Sequence, residues 1–194
     1  AKTLWDALRG VPGVDVMSTR TFYGEVSIRG LNKALNNRTM VLLDGRTVLS
    51  GPFDATFWEG IPVTLAEVDR IEVVEGPASA LYGANAINGV INIITRTPEQ
   101  LRGGELTYTV GERRTHLGSL LYGKRDGRIR YKAGVGLRTT NRFEDANLRA
   151  SEGGKAHAAL GYDFSGGSRL DVSGGFSNHN TQYSTGTPGE SIYD

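Results

Sequence analysis

The chain has 194 residues, of which 38% are hydrophobic and 22% charged, with a formal charge of +1. That is enough apolar material for a packed core, and a charge balance too even for a nucleic-acid footprint. Cysteine is absent, which removes thiol nucleophiles, cysteine-based zinc sites and disulfide frameworks together. No apolar run approaches the roughly 18 residues of a membrane-spanning helix, and Ala1 to Gly10 lacks the basic-then-apolar pattern of an export signal, so such a signal is expected upstream of Ala1.

Leu4, Trp5 and Leu8 fall at helical spacing, and Gly10 with Pro12 stops that element. Met40 to Leu43 is a short apolar run ended by Asp44-Gly45, a buried strand entering a turn. Thr64-Leu65-Ala66-Glu67 has the form of a capping box, predicting a short helix that leads into a strand from Arg70 to Glu75. After Gly76-Pro77, a second short helix is predicted over Ala78 to Tyr82 with Gly83 as its stop, then a β-rich strand over Val90 to Thr95. Five of the 6 prolines precede residue 100, whereas 17 of the 27 glycines follow it, a composition shift that marks a boundary. The first half reads as an α+β domain.

The second half alternates with period 2. Ile129, Tyr131, Ala133, Val135 and Leu137 interleave with Arg130, Lys132, Gly134, Gly136 and Arg138. The same register recurs at Leu106, Tyr108 and Val110, along Ala156 to Phe164, and from Leu170 to Phe176; Thr115 to Gly123 is strand-like with an ambiguous register. Alternation alone is explained equally well by a soluble sandwich or small barrel with one wet face. The connections tip the balance: Lys124 to Gly127 and Ser165 to Ser168 are short, Thr139 to Gly154 and the segment from Asn178 are long. Short turns at one end, longer loops at the other and strands of about 10 residues form the pattern of an outer-membrane barrel. Five strands are expected.

The stretch from Val68 to Pro98, VDRIEVVEGPASALYGANAINGVINIITRTP, resembles the most recognisable part of the plug of TonB-dependent outer-membrane receptors. Leu4 to Val16, Ser27 to Leu31 (SIRGL) and Arg38 to Val48 resemble the other plug segments in the same order. The resemblance implies an α+β plug over residues 1–98, followed over 99–194 by the first five antiparallel strands of a large transmembrane β-barrel, left incomplete. Barrels of about 22 strands enclose a lumen that such a plug fills. It further implies a receptor in the outer membrane of a Gram-negative bacterium, contacting its lipid and taking up a scarce chelated metal or cobalamin-like ligand. Energy would come from the TonB complex, through a segment upstream of Ala1. The sequence departs from the family at Glu75, where relatives more often carry Arg before Gly-Pro. A plug-like periplasmic or surface module that signals without transport is the alternative.

Other chemistry finds little support. Gly76 to Gly83 places a glycine turn before a helix but has no Gly-Lys-Ser/Thr ending, so a structural turn is expected. Asp69, Glu72 and Glu75 form a carboxylate cluster; on a strand Glu72 points opposite to the other two, which favours solvated or ion-paired roles over acid and base catalysis. His116, His157 and His179 have no ligand spacing, and Ser79 does not sit in a nucleophile elbow. No metal, cofactor, nucleic-acid or catalytic site is expected.

Phe53, Phe57 and Trp58 crowd a segment just after a plug strand, where aromatics also serve as core. Because the family meets its ligand at the plug tips, the resemblance makes Ser50 to Trp58 a candidate contact surface, together with Asn32 to Asn37, in which Asn32, Asn36 and Asn37 offer amides. Arg29, flanked by apolar residues in SIRGL, is expected on the packed or barrel-facing side of the plug, where it needs a carboxylate partner. Glu72 or Glu75 could supply it locally; in the family the matching arginine is held by acidic residues of the barrel wall, so Arg29 is also a candidate plug–barrel lock.

Overall fold

The computed structural model describes residues 3–20, 23–30, 37–48, 55–101, 103–112, 114–141 and 149–181. The first half is built on a four-stranded sheet of order β4-β3-β6-β5. Its strands are β3 (Thr39–Leu43), β4 (Arg46–Thr47), β5 (Val68–Glu75) and β6 (Gly89–Thr95). Asp44 and Gly45 turn β3 into β4 with φ of 49° and 77°, the left-handed pair that a two-residue hairpin demands. Asp44 then fixes its own turn to the end of β6, its carboxylate accepting bonds from the Thr95 amide (2.8 Å) and hydroxyl (2.7 Å). Central β6 pairs parallel with β3 and antiparallel with β5, which explains why Gly89 to Thr95 is buried with little alternation.

The capping box is formed: the Thr64 amide and hydroxyl both donate to Glu67 Oε1, at 2.9 and 3.1 Å. The helix it starts is a single 3-10 turn, Leu65–Glu67, that runs straight into β5. The element at Leu4 to Leu8 is likewise one 3-10 turn, Asp6–Leu8. The one-turn helix α1 (Ser79–Tyr82) ends at Gly83, whose φ of 85° breaks it. A hairpin of β1 (Val14–Arg20) and β2 (Tyr23–Ile28) has no counterpart among the expected elements. Gly24 to Ile28 are all buried, so β2 carries no alternating signature. Trp5, Leu8, Ile28, Trp58, Ile91 and Ile93 anchor the main core, and Met40, Leu42, Ala86 and Val90 form a smaller cluster.

After the short helix α2 (Pro98–Leu101) comes an antiparallel sheet of five strands in chain order. These are β7 (Gly103–Gly111), β8 (Thr115–Asp126), β9 (Ile129–Asn141), β10 (Arg149–Asp163) and β11 (Arg169–Thr181). The sheet is not closed: β7 and β11 are its two edges. One face is apolar and open, with Leu106 77%, Leu137 66% and Phe176 68% exposed; the other turns Arg130, Thr140 and His157, each 5% exposed or less, toward the first half of the chain. β8 was ambiguous in sequence because both of its faces are apolar: Leu120 and Tyr122 point outward, while Leu121, 1% exposed, packs inward.

Candidate functional site

Of the residues expected to meet a ligand, Asn32, Asn36 and Phe53 lie outside the described residues. Asn37 is half-buried at the approach to β3. Phe57 is 37% exposed, but Trp58 is only 3% exposed and belongs to the main core. Of the two roles left open for these aromatics, core and contact surface, Trp58 takes the core one, and Phe57 keeps an exposed side chain. Phe57 is extended (φ −87°, ψ 97°) and the 3-10 turn Trp58–Gly60 begins immediately after it, so the two neighbouring side chains diverge.

Arg29 is also placed differently. It ends β2 in a left-handed conformation (φ 59°) that turns its side chain outward, 61% exposed among the described residues, rather than to a packed face. Its partner is Glu75, at 3.6 Å. Glu72 is engaged elsewhere: Arg70 bridges Glu72 and Asp69, each at 2.9 Å. The carboxylate cluster thus consists of exposed ion pairs, which solvent screens and which contribute little to stability.

The densest chemistry lies where the first half meets the polar face of the strands, a meeting that sequence patterns did not reveal. Arg138 on β9 reaches Glu59, Nη1 to Oε2 at 2.6 Å, with the two side chains 13% and 10% exposed. Burial pushes the Glu59 carboxyl above its ordinary value, against the pull of Arg138 and Lys155. His179 on β11 accepts a bond from Arg138 at its Nδ1, 2.8 Å away, which leaves that nitrogen without a proton and the ring neutral. Deeper in the same interface, Glu67 faces His157 on β10 at 3.5 Å while holding its own capping box. Lys132 on β9 donates to the Thr95 hydroxyl and the Arg96 carbonyl, Arg96 pairs with Glu105 at 2.8 Å, and the Ser177 hydroxyl bonds the Gly60 carbonyl at 2.9 Å.

Glycine makes this approach possible. A Cβ on Gly136 would lie 2.2 Å from Thr64 Cγ2, and one on Gly134 would lie 2.6 Å from Glu67 Cδ, so β9 touches the capping box only because it lacks side chains there. The glycines read as the polar face of the strands are contact positions. Between the turn Trp58–Gly60 and the inward faces of β7 to β11 a cavity of about 330 Å³ remains, lined by Trp5, Trp58 and Leu117 and, at one end, by Glu59, Arg138, Lys155 and His179. Among the described residues no group of three or more His, Asp or Glu side chains is placed to hold a metal ion.

The arrangement defines a class: a small α+β domain seated on the polar face of an antiparallel strand sheet whose outer face is apolar. Residues 1–90 match the family model of the TonB-dependent Receptor Plug Domain; this part of the chain is such a plug, and the strands after it match the barrels of the same receptors. The chain is 39% identical over 113 residues to the vitamin B12 transporter BtuB of Vibrio vulnificus, covering 57% of this chain and 18% of that protein. It is 35% identical over 120 residues to the ferric enterobactin receptor PirA of Pseudomonas aeruginosa, covering 55% of this chain and 16% of that one. Among solved structures, the FrpB iron transporter of Neisseria meningitidis superposes with a TM-score of 0.72 at 17% identity, over 92% of this chain and 30% of its own. The pyoverdine outer membrane receptor FpvA of P. aeruginosa gives 0.71 at 20% identity, over 93% and 26%. The chain thus spans less than a fifth of these two curated relatives and under a third of these two structures.

Proposed function

We propose that this chain is the gate and the first part of the wall of an outer-membrane receptor in a Gram-negative bacterium, importing a scarce nutrient such as a ferric siderophore or cobalamin. The observation that carries the reading is the two-faced sheet: its apolar side suits lipid, and its polar side is occupied by the plug, as in a plugged lumen. The likeness to a vitamin B12 transporter and a ferric enterobactin receptor supports both ligand classes without choosing between them. On this reading the plug runs through residue 98 and the wall begins at residue 99.

Import against a gradient needs work, which the TonB complex supplies by pulling on a segment upstream of Ala1. The ligand is met from outside by Asn32 to Asn37 and Ser50 to Phe57, while Trp58 belongs to the plug core. Arg29 acts as a lock toward acidic residues of wall strands outside residues 103–181, exchanging Glu75 for them. The test is uptake of radiolabelled iron chelates and radiolabelled cobalamin by cells lacking the gene and by the same cells complemented with it. Complementation that restores uptake of one of these supports the reading; equal uptake of every compound with and without the gene would end it.

A further inference from the structure

The cavity between plug and wall holds a lysine, Lys155, whose ammonium group no described residue contacts. Three polar groups of the wall converge on its end, Arg138, Lys155 and His179, and one carboxylate of the plug, Glu59, faces them. Arg138 takes that carboxylate at 2.6 Å, and His179, whose Nδ1 accepts a hydrogen bond from Arg138, is neutral. Lys155 projects from β10 into the same space, largely removed from solvent, and among the described residues no hydrogen bond or ion pair engages its ammonium group. Glu59 and Glu67 both act on Lys155 from a distance, but among the described residues neither reaches its ammonium group, and a buried cation without a hydrogen-bonding partner is costly. The rest of the lining includes the indoles of Trp5 and Trp58 and the side chain of Leu117. An apolar cleft with a few converging polar groups and a volume of about 330 Å³ is at the small end of ligand sites.

We propose that this cavity binds a small anion with a flat apolar body, a carboxylate of about the size of benzoate, whose charge is taken by Lys155 beside Arg138 and whose ring lies between Trp58 and Leu117 of the wall. Charge selects the ligand: a neutral molecule of the same shape would leave Lys155 as it is. Volume selects it too, since an iron chelate of several rings exceeds the space. The site is distinct from the outward loops proposed to meet the nutrient. It needs only that the plug sit against the strands, so it stands or falls apart from transport.

The test is calorimetric titration of benzoate, and of neutral benzamide, into the complete purified receptor. Saturable binding of benzoate with benzamide at least about tenfold weaker is expected. Lys155→Met should weaken benzoate by about ten- to a hundredfold, Lys155→Arg should retain it, and Lys124→Met, a change at an exposed position of β8, should leave it unchanged. Equal affinity for benzoate and benzamide, or no benzoate binding at millimolar concentration, overturns the proposal. So does undiminished benzoate binding by Lys155→Met. Should that variant unseat the plug, the contrast between the two probes on the unmodified receptor still decides.

Discussion

The ion pair between Glu59 and Arg138 makes a quantitative prediction about how the plug is held. Both side chains are nearly buried and 2.6 Å apart, so removing one leaves the other charged in a poorly hydrated place, at a cost of about 3–5 kcal/mol. The two halves of the pair are not equivalent. Arg138→Met leaves Glu59 near Lys155, a remaining opposite charge, and should fall at the low end. Glu59→Gln leaves Arg138 and Lys155 facing each other across the cavity and should fall at the high end, an increase in plug opening of roughly several thousandfold. Replacing both, Glu59→Leu with Arg138→Met, removes the problem and should be close to neutral. Burial already holds the Glu59 carboxyl above its ordinary value near 4.5. Its contribution to docking is thus fully present below that value and is lost as pH rises through the raised one. In Arg138→Met the main opposing pull is gone, so the defect should be larger near neutral pH and shrink on acidification. Hydrogen exchange at Trp58–Gly60 and Ile61 in the complete receptor reads the opening. If both single variants exchanged within about 0.5 kcal/mol of the unmodified protein, the pair would not be holding the plug.

Trp58→Ala should destabilise the plug by about 3–5 kcal/mol, seen as a lowered denaturation midpoint, whereas Phe57→Ala should leave stability nearly unchanged and weaken nutrient binding; unaltered affinity in Phe57→Ala would remove the loop from the ligand surface. Arg29→Ala costs at most about 1 kcal/mol through its pairing with Glu75, but as a lock it should speed hydrogen exchange across residues 25–48 of the closed receptor, and exchange equal to the unmodified receptor would leave Arg29 as a locally paired charge. Residues 101–194 alone should not form a heat-resistant barrel in outer-membrane vesicles, because the edges β7 and β11 would be unpaired in lipid; stable insertion would contradict this.

How far sequence reached depended on whether a signal was local. The wall strands were legible because one face is lipid-like and the other polar, and β5, β6 and α1 because Gly83 and the capping box punctuate them. Where both faces are buried or apolar, as in β2 and β8, the two-residue period vanishes and the register with it. Arg29 was expected on the packed or barrel-facing side because of its apolar neighbours; the left-handed backbone after the strand end, which no neighbouring residue announces, leaves its side chain exposed instead of packed within the described residues. Phe57 and Trp58 looked alike as aromatics, and only the start of a 3-10 turn separates surface from core. The contacts of Glu59 with Arg138 and of Glu67 with His157 join residues distant in the chain and surfaced only when the plug and the wall were seen together. The glycines of β9 did leave a trace, read as the polar face, though not as the place where the capping box rests.

The claim that the plug sits against the inward face of β9 can be tested with a disulfide. A Cβ on Gly136 lies 3.6 Å from Thr64 Cβ, within the span that a disulfide bridges, and the chain has no cysteine of its own to interfere. In the complete receptor, Thr64→Cys with Gly136→Cys should oxidise to a plug–wall crosslink identified by mass spectrometry, whereas Thr64→Cys with Leu137→Cys, on the outward face, should not. Two free thiols in the first pair, or an equal crosslink in the second, would contradict the seating of the plug on this wall.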